Sequence, residues 1–320
     1  MDVLKYLDRF SSKRIVVIGD VMLDKYIVGR VRRISPEAPV PVVTVINERF
    51  APGGAANAAN NITSLGSNAY LLGITGNDSA RGLLLAEAAK QSINTDYLVV
   101  SEKKPTTQKI RAIGNDYQLL RIDYENRDEI SDELPQLIHN LEQIDAIDAI
   151  IVSDYDKGIV SAELMAAVKG IARKRNILLL VDPKPKHKDL YHDISLVTPN
   201  KKEAAEMAGI AIESGGDIET AGDRLMNELN CNVLITRGAE GMSLFEQGRP
   251  PVHIPTTAKE VYDVSGAGDT VIATMALAVC SGASLAEAAV LANHAAGIKV
   301  GKLGTSPVKI DELRAKLVGG

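Results

Sequence analysis

The chain contains no tryptophan and only three phenylalanines, which leaves little aromatic surface on which a nucleobase could stack. Cys231 and Cys280 are the only cysteines and form no Cys-x-x-Cys spacing. A disulfide framework and a cysteine-built zinc site are therefore not expected, and two reduced thiols fit a cytoplasmic protein. Basic residues are in deficit, 36 Lys and Arg against 41 Asp and Glu, so no broad surface for nucleic acid or anionic membrane is expected. No apolar run approaches the ~20 residues that span a bilayer. The charged start "MDVLKYLDRFSSKR" has no apolar signal core. No Gly-x-x-x-x-Gly-Lys-[Ser/Thr] loop occurs, and the first β-rich run leads into "GDVMLD" rather than a Gly-x-Gly-x-x-Gly turn. A P-loop enzyme and a dinucleotide-binding dehydrogenase are both disfavoured.

What is present is an α/β pattern. The runs 14–20, 69–75, 149–154, 177–182 and 231–238 read as buried strands. Helical patterns at 54–65, 79–91, 161–174, 201–208 and 217–229 lie between most of them, which predicts a mostly parallel sheet covered on both faces. Asp20, Asp154, Asp182 and Thr236 end strands, as expected of a site at the carboxyl edge of such a sheet. Two stretches break the alternation. Residues 25–50 read as strands around a Pro-rich turn, and 106–123 as a hairpin turning at Gly114-Asn115-Asp116. Together they predict a small β-sheet lid on one domain that covers residues 1–320.

The heptapeptide "DVSGAGD" (263–269) runs straight into the apolar stretch "TVIATMALAVCSG". Glycines at a helix start place backbone N–H groups where an anion can bind, and the helix dipole adds to them. Gly266, Ala267 and Gly268 could hold a transferring phosphoryl group. Asp269 beside them could accept a hydroxyl proton. A glycine turn with an aspartate cap would look the same. In "GDVMLD", Asp20 and Asp24 could bind sugar hydroxyls or a metal, or simply cap a turn. "APGGAANAANNI" (51–62) places Gly53 and Gly54 at the start of a small-residue helix, with Asn57 able both to donate and to accept.

In this order, "PGGAANAANN", "TPNKKE", "TRGAEG" and "DVSGAGD" resemble the ribokinase-like (PfkB) carbohydrate kinases over nearly the whole chain. The resemblance implies a ribokinase-like three-layer α/β fold with a β-lid and ATP-dependent phosphorylation of a sugar hydroxyl. It makes Asp269 the general base and Gly266–Gly268 the anion hole. It implies that ATP and Mg2+ lie near Asn200, Glu203, Thr236, Arg237, Gly238 and Gly241, with Glu203 reaching the metal through water. Asn293 or His294 would lie near the adenine. The family often binds a monovalent cation near the first aspartate of the motif, here Asp263 and Ser265, and a later loop, here about Lys302 to Ser306. Val264 stands where the family usually has Thr, which puts potassium activation in doubt.

"GDVMLDKY", "RISPEAPVPVV" and "SDYDKG" are most similar to the branch that phosphorylates D-glycero-β-D-manno-heptose 7-phosphate at its anomeric hydroxyl, a step towards ADP-heptose and lipopolysaccharide core. Many relatives in that branch carry a fused nucleotidyltransferase, for which nothing after residue 308 is long enough. Lys109 and Arg111 on the lid, with Lys157 and Lys184 after strand ends, could converge on the substrate's phosphate, or merely border the site. A kinase for fructose 6-phosphate, ribose or fructose remains an alternative, as does a sensor that has lost catalysis. An exposed lid edge would suit a homodimer.

Overall fold

The first strand sets the frame. "RIVVIG" is buried at every position after Arg14, so it can only be a central strand covered on both faces. In the computed structural model, which describes residues 3–128, 130–258, 260–302 and 306–319, a short helix α1 (Leu4–Leu7) precedes this strand, β1 (Arg14–Gly19). Two long strands, β2 (Val21–Ile34) and β3 (Pro41–Gly54), lead to helix α2 (Ala55–Ser64). Then come β4 (Asn68–Leu72), β5 (Ile74–Gly76), α3 (Ser79–Lys90), β6 (Val99–Ser101) and the hairpin β7 (Thr107–Gly114) and β8 (Tyr117–Tyr124). The middle of the chain runs α4 (Leu134–Gln143), β9 (Ala149–Ser153), α5 (Ala162–Arg175), β10 (Leu178–Asp182) and β11 (Leu196–Val197). It continues through α6 (Lys201–Ala208), α7 (Gly215–Leu229), β12 (Asn232–Thr236), β13 (Met242–Phe245) and β14 (Val252–Ile254). Three helices close it: α8 (Ala267–Cys280), α9 (Leu285–Val300) and α10 (Ile310–Val318).

The main sheet has the order β14-β13-β12-β11-β10-β9-β1-β4, parallel from β4 to β12 and antiparallel at β13 and β14. Alternate side chains of β1 feed two separate cores. Ile15 and Val17 pack with residues of α2, α8 and α9, whereas Val16 and Ile18 pack with those of α4, α5 and α7. This is the three-layer arrangement that the strand–helix alternation predicts. After β1 the chain pairs β4 on one side and β9 on the other. That reversal opens a crevice at the carboxyl ends of the strands.

The second sheet, β3-β2-β7-β8, is the predicted lid. Its hairpin turns at Asn115 and Asp116, both in the left-handed region, as a two-residue turn between twisted strands requires. The strands extend further than the sequence suggests, β2 beginning at Val21 and β3 running on to Gly54. Asp24 lies inside β2, and Gly53 and Gly54 end β3 just before α2. The expected strand 69–75 is instead broken at Gly73, where a Cβ would stand 2.5 Å from Val21 and 2.6 Å from the Gly19 carbonyl. Close backbone approach ends β4 there, and β5 pairs with β6 in a small sheet of its own. Among the described residues, no helix is long and apolar enough to cross a membrane.

Gly222 on α7 shows how tightly the second core is filled. A Cβ at this position would fall 2.3 Å from the buried Phe245 ring. Gly222→Ala should therefore lower stability by about 1–3 kcal/mol in urea denaturation, with turnover unchanged. Helix propensity alone predicts a gain of ~1 kcal/mol, and that result would mean the ring moves aside without strain.

Candidate active site

The motif that opens α8 supplies the centre of the site. Gly266 is the N-cap residue with φ +74°, and a Cβ there would stand 2.7 Å from Asn57 Nδ2. Both facts require glycine. The Ala267 N–H turns back to the Val264 carbonyl at 3.2 Å, while the Gly268 N–H has no backbone acceptor among the described residues. Gly268 is exposed at the rim of a cleft, so the open amide and the helix dipole could receive an anion there.

Asp269 follows in the first turn and is 3 % exposed. Its Oδ2 accepts from Asn57 Nδ2 at 2.6 Å, and the Tyr155 hydroxyl lies 3.1 and 3.2 Å from its two oxygens. Burial pushes its pKa up to about 6, against the pull of these two donors. At neutral pH it is ionised, yet it holds a proton about two pKa units more readily than a surface aspartate does. The Tyr155 ring stands between two ammonium groups, Lys109 Nζ at 5.2 Å and Lys184 Nζ at 5.6 Å. Burial and the Asp269 carboxylate keep its hydroxyl protonated.

Tyr155 owes its place to Asp20. The Asp20 carboxylate accepts the backbone N–H groups of Tyr155 (2.7 Å), Lys157 (3.1 Å) and Ile159 (3.3 Å). It is 1 % exposed, and burial, with Asp154 adding to it, pushes its pKa up to about 6. Asp20 therefore caps the "DYDKG" loop, the turn-capping alternative, and its oxygens are taken up by backbone amides rather than left open for a sugar hydroxyl or a metal. Asp154 anchors the same loop from the other side, accepting from the Tyr191 hydroxyl and from the Asp156 N–H, with His187 Nδ1 at 2.6 Å.

The lid supplies the opposite wall. Lys109 and Arg111 share one face, as their spacing predicts, and stand beside Asp24 and Tyr26 of β2. Arg111 pairs with Asp24 at 2.5 Å and stacks 5.2 Å from the Tyr26 ring. Gly53 is needed opposite, because a Cβ there would lie 2.7 Å from Asp24 Oδ2. Two expected phosphate ligands are engaged elsewhere. Lys157 pairs with Glu125 at 2.5 Å, and Lys184 pairs with Glu203 at 2.5 Å, on the cleft side of Tyr155.

Beyond Gly268 lies a cleft of about 870 Å³. Its walls include Asn200, Glu203, Thr236, Arg237, Gly238, Gly241 and Asn293, together with Asp182, Ala267 and Gly268. Asn200 and Glu203 cap α6 reciprocally, each side chain bonding the other's N–H. Gly241 has φ +90°, and a Cβ there would meet the Ile254 carbonyl at 2.0 Å. Asn293 Nδ2 donates to the Pro255 carbonyl at 2.7 Å and so fixes the far wall. His294 does not line the cleft. One helical residue rotates the side chain by about 100°, and burial together with Lys316 of α10 draws its pKa down.

No group of three or more His, Cys, Asp or Glu among the described residues could hold a bare metal ion. Glu203 has one oxygen on Lys184 and the other on the Asn200 N–H. Asp182 borders the cleft, and burial together with the Asp269 and Glu203 charges raises its pKa well above the usual range. Asp182 and Glu203 are thus the carboxylates at the cleft that could face a metal ion. On the far side of the motif, Asp263 Oδ1 accepts from the Ser265 N–H at 2.8 Å. Positions 303–305 of the second half of the expected monovalent-cation site lie outside the described residues.

Sequence reasoning gave Tyr155 no place in the site and noted Asp182 only as a strand end at its edge. The signals for them were the "SDYDKG" segment and the polar end of the strand "ILLLVD".

Comparison with known proteins identifies the fold and the family. The chain is 43% identical over 311 residues to "Bifunctional protein HldE" of Desulfatibacillum aliphaticivorans, covering 96% of this chain and 64% of that protein. It is 44% identical to the protein of the same name from Caulobacter vibrioides, covering 98% of this chain and 65% of the relative. The chain thus spans just under two thirds of these relatives' own length. Phosphofructokinase-2 from Escherichia coli shares the fold with a TM-score of 0.80 at 20% identity, covering 96% of this chain and 98% of its own. Arabidopsis thaliana ribokinase does so with a TM-score of 0.73 at 24% identity, with coverages of 95% and 98%. The description "pfkB family carbohydrate kinase" matches residues 12–312, and the chain belongs to that family.

Proposed function

We propose that the enzyme transfers the γ-phosphoryl group of ATP to the anomeric hydroxyl of D-glycero-β-D-manno-heptose 7-phosphate, giving the 1,7-bisphosphate. One observation carries the phosphoryl-transfer step. A buried carboxylate, Asp269, bonded to Asn57 and Tyr155, directly follows the glycine loop that borders a nucleotide-sized cleft, with an open amide at Gly268 beside it. The heptose phosphate is supported by the HldE relatives and by the lid segments "GDVMLDKY" and "RISPEAPVPVV".

Beside the Asp269 carboxylate is a buried acceptor without a donor. Asn57 Oδ1 is buried and lacks a partner among the described residues, and a sugar hydroxyl would satisfy it. Asp24, held by Arg111, offers a second acceptor on the lid side. With the sugar between them, its hydroxyl would face Asp269, which takes the proton. Lys109 and Arg111 would meet the sugar's phosphate, with Lys157 released from Glu125 as the lid settles. Lys184, next to Glu203, belongs on the nucleotide side and would balance phosphoryl charge there. Glu203 and Asp182 are the carboxylates that would face a Mg2+ ion brought in with ATP, which would supply charge neutralisation for the phosphates. The protein's own part is positioning and charge stabilisation. Val45, Ile46, Leu120 and Ile122 leave apolar side chains exposed on the lid, which favours a homodimer formed through this sheet.

Turnover with heptose 7-phosphate should exceed that with fructose 6-phosphate, ribose or fructose, and the product should carry its new phosphate on carbon 1. Preference for an unphosphorylated sugar would keep the kinase and discard the phosphate contacts. Asp269→Asn should lower kcat by about 10²–10⁴-fold, the usual range for loss of a general base, with ATP affinity nearly unchanged. Because only the ionised Asp269 accepts a proton, kcat/KM should fall as pH drops through about 6. Tyr155→Phe removes a donor that favours the carboxylate, so this acid limb should move to higher pH. A limb that stays in place would show that another group sets it.

A further inference from the structure

Lys299 is the only Lys or Arg buried among the described residues, and it is 0 % exposed. An ammonium leaves water only where other charges or dipoles replace it. Lys299 lies in the last turn of α9, where the helix dipole favours a cation. Its Cε is 3.6 Å from the place a Cβ would take on Gly266, so the side chain runs directly behind the loop that presents Gly268 and Asp269. The loop is tied to the same helix end, since the N–H groups of Tyr262 and Asp263 donate to the Val300 carbonyl at 2.8 and 3.2 Å. Burial draws the Lys299 pKa down, while Asp263 and Asp269 pull it up and Lys302 opposes them. Lys299 is absent from the residues that line the nucleotide cleft, although its neighbours Gly297 and Val300 are among them.

We propose that Lys299 is a positioning residue whose ammonium is a built-in cation behind the Asp263–Asp269 loop, supplying the positive charge that a bound monovalent ion would otherwise provide. The inference rests on the reading of Asp269 as the base. It follows that the site does not suit a further cation. An ion approaching Asp263 would meet a fixed ammonium at short range in a poorly screened interior, where like charges repel strongly. The loop would carry its own counter-charge while Asp269 and the incoming phosphates add negative charge around it. Turnover would then not depend on potassium.

The test compares wild type, Lys299→Met and Lys299→Ala in KCl, NaCl and tetramethylammonium chloride at one ionic strength. Wild-type kcat should be the same in all three within about twofold, and its thermal midpoint should not distinguish K+ from Na+. Lys299→Met, which keeps the apolar stem and removes the charge, should lose about 10–100-fold in kcat with a much smaller change in KM for ATP, the pattern of an interaction needed only in the transition state. Lys299→Ala leaves room for an ion, so K+, or methylammonium chloride run as a fourth salt for the two variants, should raise both its kcat and its thermal midpoint, and neither should help Lys299→Met. Strong K+-specific activation of the wild type, or full kcat in Lys299→Met, overturns the proposal. If both variants fail to fold, the wild-type salt series and thermal midpoints still decide it. Asp269→Asn measured alongside separates the two readings, because retained turnover in that variant sinks the base assignment whatever the salts show.

Discussion

An ionised carboxylate held almost out of water at the start of α8 is the constraint around which the rest of the site is arranged. Burial opposes the charge on Asp269, and the hydrogen bonds from Asn57 and Tyr155 only partly offset it. Each donor then makes its own demand on the chain. Asn57 can reach Asp269 only if α2 and α8 pack closely, which small residues along α2 allow and which the Thr270–Asn61 hydrogen bond at 2.7 Å reinforces. The same closeness leaves no room for a side chain at Gly266.

Tyr155 is held differently. It lies on a loop whose amides are gathered by Asp20 and whose flank is fixed by Asp154 with Tyr191 and His187. Hydrogen bonding to Asp154 raises the His187 pKa, so the ring favours its protonated form beside that carboxylate. Asp20 and Asp154 thus serve as acceptors for the protein itself. Their position past the ends of β1 and β9 is where a parallel sheet leaves backbone N–H groups unpaired. The result is a phenol that bonds Asp269 while its ring lies 5.2 and 5.6 Å from the ammonium groups of Lys109 and Lys184.

The glycines of the site divide by purpose in the same physical terms. Gly266 and Gly241 hold positive φ angles in places where a Cβ would also collide. Gly53 keeps the β3 backbone against Asp24. Gly268 is the one in this group whose added Cβ would meet little, with Asp182 Oδ2 at 3.9 Å. Its small size serves the approach of a ligand rather than the packing of the chain.

Much of this was legible in the sequence. The alternation of apolar runs with helical patterns determined the layered sheet, because strand and helix periods follow from which side chains must leave water. The asparagine-aspartate turn determined the lid hairpin, and "DVSGAGD" determined a glycine turn that opens a helix with an aspartate in its first turn, since those conformations admit few residue types. Several charged residues were not legible, because a charge takes its partner from segments distant in sequence. Asp20 was taken up by the loop after β9, Lys184 by the cap of α6 and Lys157 by the end of the lid. Lys299 reads in the sequence as an ordinary lysine near a helix end. Only the tertiary structure decided that it is sealed behind Gly266, because burial belongs to the packing of α8 against α9 and not to any local pattern.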